Sequence, residues 1–226
     1  MRRISGHDVV ETLEELLDPR RACVVSIDVQ NDFCVAGGHY DRHGKDLSMM
    51  SDMLPRLRAF LGAARRDGIP IVHLQQTTLP DGKSDSPAWL YLKTRDGKSP
   101  DYTLEGTWGW EFVEGCGPEP GEVVVRKHRS SGFVHTTLET ILRSLGAETV
   151  VVVGTTTQGC VESTAREAAH HDFYVVVVPD CVATTSRKLH DASLTVQAVR
   201  HELIPSERVL SIWSAARRGV TAADRR

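Results

Sequence analysis

The sequence predicts an α/β domain in which helices cover both faces of a parallel β-sheet. Two observations carry this prediction. Short runs of β-branched residues, which are typical of strands buried on both faces, recur along the chain. Segments with apolar residues at helical spacing separate these runs. A chain of 226 residues with 40% hydrophobic content is large enough for one sizeable core, so we expect a single domain over 1–226.

The elements alternate along the whole chain. Residues 1–20 are predicted to form a short helix or arm that ends at Asp18 and Pro19. Strands are predicted at 22–28, 69–74, 122–126, 149–153, 174–178 and 209–213, with a turn at Pro179. Helices are predicted at 49–66, 136–145, 157–172 and 186–202, and a polar tail at 217–226.

The segment 77–121 is long, polar and rich in Gly, Pro and Asp, and it carries Trp89, Trp108 and Trp110. A loop of this length inside one domain is usually functional, so we expect a lid or a substrate wall. The alternative is a surface excursion whose aromatic side chains pack locally or against a second subunit.

Composition excludes several classes of function. A net charge of -3 gives no electrostatic case for nucleic acid or for an anionic membrane, and no transmembrane stretch is evident. The five cysteines are odd in number and show no zinc-like spacing, which favours a reducing cytoplasm over a disulfide framework.

The most informative stretch is 150–169, where a buried strand leads through a Gly- and Thr-rich turn into a helix. Cys160 is predicted in the first turn of that helix. The unpaired N–H groups and partial positive charge of a helix N-terminus favour thiolate over thiol. The sequence therefore presents Cys160 as a candidate nucleophile.

Two further reactive residues follow strands. Asp28 closes the first predicted strand and Lys127 follows the third. If these strands are parallel neighbours of the one before Cys160, the three side chains meet at one edge of the sheet. A desolvated carboxylate can then act as base for the thiol, and a lysine can stabilise both charges. Singly, each residue has an ordinary explanation as a turn residue, a solvated charge or a core thiol.

Two other functions compete with this interpretation. Cys160 and Arg166 satisfy the C-x5-R pattern of a phosphatase phosphate loop, but such a loop wraps its phosphate with backbone N–H groups, and this stretch is predicted to be helical. A non-catalytic binding protein on the same fold is the second alternative.

Three motifs together resemble the isochorismatase-like cysteine hydrolases: DVQNDF at 28–33, KHRSSGF at 127–133 and GTTTQGCVEST at 154–164. The resemblance covers about residues 20–212. It implies a doubly wound, six-stranded parallel sheet of Rossmann-like, three-layer form, and a homodimer or homotetramer. It also implies a catalytic triad of Asp28, Lys127 and Cys160, a cis bond between Thr155 and Thr156, and an oxyanion hole made by the N–H groups of Thr156 and Cys160.

Departures from the family patterns reduce the range of reactions that we expect this protein to catalyse. The stretch 74–82 lacks the Asp/His cluster of metal-dependent nicotinamidases, so we expect neither a metal nor another cofactor. Cys160 favours C–N hydrolysis over the vinyl-ether hydrolysis of true isochorismatases, which stays an alternative. We expect a small amide, carbamoyl or ureido substrate, without choosing among N-carbamoyl acids, ureidoacrylate, biuret and maleamate. The candidate substrate contacts are Phe33, Gln76, Trp108, Arg129 and Thr155.

Overall fold

The computed structural model describes residues 1–95, 97 and 99–223. Six parallel strands form the central sheet in the order β5-β4-β3-β6-β7-β8. Their bounds are Ala22–Ile27 (β3), Ile71–Gln76 (β4), Val123–Lys127 (β5), Thr149–Thr155 (β6), Tyr174–Ala183 (β7) and Glu202–Leu203 (β8). The order runs outward from β3 and β6 in both directions, which is the predicted doubly wound, six-stranded sheet.

Helices cover both faces of this sheet. The longer elements are Ser48–Arg66 (α4), Pro87–Thr94 (α5), Leu138–Ser144 (α6), Glu162–His170 (α7), Arg187–Gln197 (α8) and Ser206–Ala223 (α9). The short helices are Leu13–Leu16 (α1), Asn31–Cys34 (α2) and His39–Arg42 (α3). None of the described helices is long and apolar enough to cross a membrane.

Alternating side chains of the strands divide the core into two layers. In β6, Val151 and Val153 pack with α4 and α9 on one face, whereas Val150 and Val152 pack with α6 and α7 on the other. The central strands are apolar at successive positions because both of their faces are buried.

The C-terminal part corrects the prediction of a strand at 209–213. These residues lie in α9, and their buried members are Val209, Ile212 and Trp213. That spacing is helical. The Trp213 indole donates a hydrogen bond to the Leu17 carbonyl at 2.9 Å. The sixth strand is instead β8, and α9 continues through 217–223 of the predicted polar tail, whose residues 224–226 lie outside the described part.

Strand β7 is longer than predicted and passes through Pro179. Opposite Val152 and Gly154 of β6, the register jumps from Val177 to Val182 of β7, so that the predicted turn is a bulge in a continuing strand. The predicted helix 186–202 ends earlier, at Gln197, and Ser186 caps it by accepting a hydrogen bond from the Leu189 N–H.

The first 20 residues contain more structure than the predicted helix or arm. Arg2–Ile4 (β1) and His7–Val9 (β2) form an antiparallel hairpin whose turn places Ser5 and Gly6 at positive φ. Helix α1 follows, with a capping box between Thr12 and Glu15.

The segment 77–121 is also more structured than a loop. It contains α5, which begins at Pro87 after the capping residue Ser86, and short 3₁₀ turns at Pro80–Gly82 and Trp108–Trp110. Residues 96 and 98 of this segment lie outside the described part. The Ser-Pro start is a helix signal that could have been read from the sequence.

Candidate active site

The carboxyl edge of the sheet brings together the residues predicted from the three strand ends. Asp28 directly follows β3, and Lys127 is the last residue of β5. These strands are not neighbours, because β4 lies between them. The long side chain of Lys127 spans the intervening strand and places Nζ 2.7 Å from Asp28 Oδ2. Both side chains are fully buried.

The buried ion pair is held from several sides. Asp28 Oδ1 accepts a hydrogen bond from the Gln76 N–H at 2.9 Å. Lys127 Nζ also donates to Gln76 Oε1 at 2.9 Å and to the Arg129 carbonyl at 3.0 Å. Two of the three ammonium donors therefore have hydrogen-bond acceptors, and the contact with Asp28 is an ion pair.

The pair has shifted titration behaviour. Burial raises the pKa of Asp28, and the positive charge on Lys127 offsets only part of that rise. Burial lowers the pKa of Lys127, but the negative charges of Asp28 and Cys160 outweigh it and leave the pKa raised. At neutral pH we assign a carboxylate and an ammonium, which stabilise each other.

Cys160 lies beside this pair, within hydrogen-bonding reach of both Asp28 and Lys127. It is partly exposed and belongs to a π-helical turn, Thr157–Val161, that precedes α7. Burial raises the pKa of Cys160 to about 12; Lys127 lowers it and Asp28 raises it. This rise opposes the preference for thiolate that a helix N-terminus provides, so deprotonation of Cys160 needs a base.

The turn before Cys160 has unusual backbone geometry. The peptide bond between Thr155 and Thr156 is cis, at the position that the family resemblance implies. Gly154 has φ +111°, and a Cβ at this position would lie 2.2 Å from the Ile27 carbonyl oxygen. The Thr156 carbonyl accepts hydrogen bonds from the N–H groups of Gly159 and Val161. The end of β6 therefore packs closely against β3, just before the turn that carries Cys160.

Aromatic side chains form a wall near Cys160. Phe33 is buried, and its ring centre lies 5.1 Å from that of Tyr40 and 5.7 Å from that of Tyr102. Burial raises the pKa of both tyrosines, and a negative charge on Cys160 would raise it further. Tyr40 and Tyr102 were not predicted as site residues, because neither lies at the end of a strand of the sheet.

The other predicted contacts occupy different places. Gln76 directs its side-chain oxygen to Lys127, and the Thr155 hydroxyl donates to the Asp28 carbonyl at 2.8 Å. The Arg129 guanidinium donates to the Ser84 carbonyl and lies 5.1 Å from the Trp89 ring centre. Trp108 is 49% exposed. Gln76 therefore supports the ion pair and Thr155 the backbone of Asp28, whereas Arg129 and Trp108 make no contact with the pair through these interactions.

The first motif also anchors the segment 77–121. Gln30 Nε2 donates to the Gln76 and Trp110 carbonyls at 3.0 and 2.7 Å. Asp32 is buried and accepts hydrogen bonds from the backbone N–H groups of His39 and Thr103 at 2.9 and 2.6 Å. The residues that follow Asp28 thus fix the position of the segment 77–121 relative to Asp28.

The described residues do not form a metal site. No group of three or more His, Cys, Asp or Glu side chains within that part of the chain is arranged to hold a metal ion.

Comparisons with known proteins show which family the chain resembles. The isochorismatase domain model matches residues 22–202. The ureidoacrylate amidohydrolase RutB of Methylobacterium radiotolerans is 35% identical over 190 residues, covering 79% of this chain and 73% of that protein. The RutB protein of Agrobacterium fabrum is 32% identical over 174 residues, covering 73% and 76%.

Two solved structures superimpose on most of this chain. A cysteine hydrolase from Pseudomonas syringae pv. phaseolicola superimposes with a TM-score of 0.76 at 25% identity, covering 88% of this chain and 95% of that chain. An isochorismatase family protein from Desulfovibrio vulgaris subsp. vulgaris gives 0.73 at 28% identity, covering 86% and 99%.

Proposed function

This chain belongs to the isochorismatase domain family and is a cysteine amidohydrolase of small molecules, and we propose that Asp28, Lys127 and Cys160 are its catalytic residues. The observation that carries the proposal is the fully buried 2.7 Å ion pair of Asp28 and Lys127 beside a partly exposed thiol. A raised thiol pKa makes an adjacent base necessary, and Asp28 is in place to be that base.

The first half of the reaction forms a thioester. Asp28 takes the proton of Cys160 while Lys127 keeps the local charge balanced. The sulfur attacks the carbonyl carbon, and the resulting oxyanion accepts hydrogen bonds from the N–H groups of Thr156 and Cys160. One such donor is worth about 3 kcal/mol in well-studied enzymes. Asp28 then returns its proton to the leaving nitrogen as the C–N bond breaks.

The second half hydrolyses the thioester. Asp28 removes a proton from a water molecule, whose oxygen attacks the thioester carbonyl. The C–S bond breaks, and the proton on Asp28 returns to the sulfur. Lys127 stays an ammonium throughout, because its ion pair with Asp28, its two hydrogen bonds and its raised pKa all favour the charged form.

The substrate that we propose is a small ureido acid. The relatives named ureidoacrylate amidohydrolase support this class. Arg129 supplies a cation that pairs with a substrate carboxylate, and Phe33 with Trp108 contributes to the apolar wall. Biuret and maleamate, which are not ureido acids, are the competing substrates.

The wider context of the enzyme is also a proposal. We propose one hydrolase domain that works in the cytoplasm, which the five free cysteines support. We also propose a homodimer or homotetramer. Exposed apolar side chains on and just after α8, namely Leu189, Val196 and Val199, support a subunit contact.

Ammonia release from a panel of small compounds tests the function. The panel contains 3-ureidopropionate, N-carbamoylsarcosine, biuret, maleamate and nicotinamide, with isochorismate followed separately as a vinyl ether. We expect turnover of the ureido acids. Turnover of isochorismate without release of ammonia from any amide or ureide would overturn the proposal.

A further inference from the structure

Helix α8 buries polar side chains, whereas a helix on the surface of a domain usually buries apolar ones. The buried residues of this helix are His190, Ser193 and Gln197, which we call the polar face of α8. In the same helix Leu189 and Val196 are exposed. Burying a polar group is unfavourable unless it forms hydrogen bonds. The hydrogen-bond partners of the polar face therefore indicate what the face does.

The polar face contacts both ends of the π-helical turn that precedes α7. His190 Nδ1 lies 2.8 Å from the Thr157 hydroxyl oxygen, and both side chains are buried. The Ser193 hydroxyl lies 2.6 Å from Glu162 Oε2 and 3.2 Å from the Thr157 carbonyl oxygen. Because a hydroxyl has a single proton, the shorter contact assigns Ser193 as a donor to Glu162. Gln197 Nε2 donates to the Ser193 oxygen at 3.0 Å and holds it in place.

The shape of this turn depends on Thr157. Its carbonyl accepts a hydrogen bond from the Glu162 N–H, which closes the turn around Cys160. Gly159, inside the turn, departs from helical geometry with φ -106° and ψ -105°. π-Helical turns are rare and are often found at functional sites. Contacts from outside the turn, above all those from α8 to Thr157, therefore support its conformation.

The imidazole of His190 is suited to this contact at neutral pH. Burial lowers the pKa of His190, and Arg187 lowers it further, whereas Asp191 opposes the change. A neutral ring has one N–H donor and one acceptor nitrogen, so Nδ1 can pair with a hydroxyl in either tautomer. Thr157 is fully buried, so bulk water would not replace a lost contact with the ring.

We propose that His190 is a positioning residue of the nucleophile, which holds the turn through the Thr157 hydroxyl and thereby aims the Cys160 thiol at Asp28. The inference rests on the proposed catalytic role of Cys160, and it adds a residue that lies outside the three sequence motifs. A displacement of about 1 Å at a reacting group can lower a rate by about 100-fold. Loss of the contact between His190 and Thr157 should therefore affect the reactivity of the thiol more than the stability of the fold.

The rate at which iodoacetamide alkylates Cys160 tests the proposal without a substrate. His190→Leu replaces the imidazole by an apolar side chain and removes the hydrogen bond. We expect labelling of Cys160 to slow about 10- to 100-fold, because the thiol is no longer aimed at its base. His190→Asn is the conservative variant, since its amide can donate to or accept from the Thr157 hydroxyl. It should return the labelling rate to within about threefold of the unaltered protein.

Thr157→Val tests the same contact from the other side. Valine keeps the branched shape of threonine and removes the hydroxyl, so we expect the same slowing of Cys160 labelling. In the double variant His190→Leu with Thr157→Val, the two effects should not add, because each change removes the same interaction. Thermal melting verifies that each variant folds, and Thr157→Val carries the test if His190→Leu does not.

Steady-state kinetics separate positioning from substrate binding. With 3-ureidopropionate, we expect His190→Leu to lower kcat about 10- to 100-fold and to leave KM within about threefold. His201→Leu is the matched control. His201 is also a buried histidine whose pKa is lowered chiefly by burial. It directly precedes β8, at the amino edge of the sheet, so its loss should leave labelling and kcat unchanged.

Cys160 labelling at the unaltered rate in either folded variant would overturn the proposal. Additive effects in the double variant, no recovery in His190→Asn, or an equal loss in His201→Leu would overturn it as well. The proposed function would still stand if Asp28→Asn slows labelling and the unaltered enzyme releases ammonia. Conversely, if the panel of compounds releases no ammonia and labelling still depends on His190, the proposed substrates are rejected and the role of His190 is kept.

Discussion

Lys127 Nζ and Asp28 Oδ2 lie 2.7 Å apart across the end of β4, with neither side chain exposed. The contact joins two strands that are not neighbours. An arginine would place a wide, planar group where the compact ammonium meets one carboxylate, one amide and one carbonyl. A cation of this size is therefore matched to the space between the strand ends.

Replacement of Cys160 by Ala should abolish turnover and leave the fold intact. The side chain is partly exposed, so that its loss leaves no large cavity in the core. We expect ammonia release to fall by about 10⁴-fold or more, with an unchanged thermal midpoint. Substantial residual activity would refute the nucleophile assignment.

Asp28→Asn should abolish turnover and slow the alkylation of Cys160 by iodoacetamide at neutral pH. If Asp28 is the base, its loss removes the proton acceptor, and we expect labelling to be slower by about 100-fold. Electrostatics alone predicts the opposite sign, because the negative charge of Asp28 raises the pKa of Cys160. Faster labelling of Asp28→Asn would therefore mean that Cys160 reacts as a free thiolate.

The labelling experiment has an internal reference. Cys23, Cys34, Cys116 and Cys181 are buried, and burial raises their pKa values. Peptide mapping should find the label at Cys160 first, because the other four thiols react only when the protein opens. Loss of this order in Asp28→Asn would indicate unfolding instead of a lost base.

Arg129→Gln should weaken the binding of anionic substrates specifically. The guanidinium is fixed by the Ser84 carbonyl and the Trp89 ring. We expect KM for 3-ureidopropionate to rise about 10- to 100-fold, because a charge-assisted hydrogen bond is lost. Biuret has no carboxylate, so its KM should stay within about threefold. An equal rise for both substrates would show that Arg129 shapes the wall without contacting the carboxylate.

Glu122→Gln should lower the free energy of unfolding at pH 7 by about 2 kcal/mol. Burial disfavours the Glu122 carboxylate, but hydrogen bonds from Arg65 and His73 outweigh it and lower the pKa to about 2. This stabilisation is present above the ordinary pKa of 4.5 and is lost as the pH falls towards about 2. Urea titrations of the two proteins should therefore converge at acidic pH.

Glu119→Gln is the matched control for that experiment. Glu119 contacts the same arginine, at 3.2 Å, but its side chain is 62% exposed. Exposed ion pairs contribute little to stability, so no measurable change is expected. A pH-independent deficit in Glu122→Gln would mean that packing, and not titration, causes the loss.

Gly154→Ala should destabilise the fold by about 3 kcal/mol or more. The new Cβ would meet the Ile27 carbonyl oxygen at 2.2 Å, and φ of +111° is unfavourable for alanine. Gly219→Ala in α9 is the control. Its Cβ would meet nothing within 4 Å, and alanine is the better helix former, so denaturant unfolding should show a gain of up to about 1 kcal/mol.

The sheet, and the approach of Asp28, Lys127 and Cys160 at its edge, were predictable because they depend on local patterns. Runs such as 150–153 mark buried strands, and reactive residues after such runs mark the carboxyl edge. The strand order was not predictable in the same way, and β4 lies between Asp28 and Lys127. The pattern at 209–213 also fits a helix, and only its packing around Trp213 decides the outcome.

The aromatic side chains around the candidate site were harder to predict than the residues at the strand ends. Tyr40 and Tyr102 pack against Phe33 from a short helix and a loop, and no periodic pattern identifies them. The raised pKa of Cys160 depends on burial, which outweighs the positive charge of Lys127 and is not visible in the sequence.

The side chains of Gln30 and Asp32 hydrogen-bond to main-chain groups of the segment 77–121, namely the Trp110 carbonyl and the Thr103 N–H. Every residue except proline carries both main-chain groups, so side-chain substitutions other than proline keep these partners available. Substrate range can then drift during evolution while the base and nucleophile stay unchanged. A transplanted segment of equal length would inherit the same attachment points, which makes this region a natural unit for redesigning specificity.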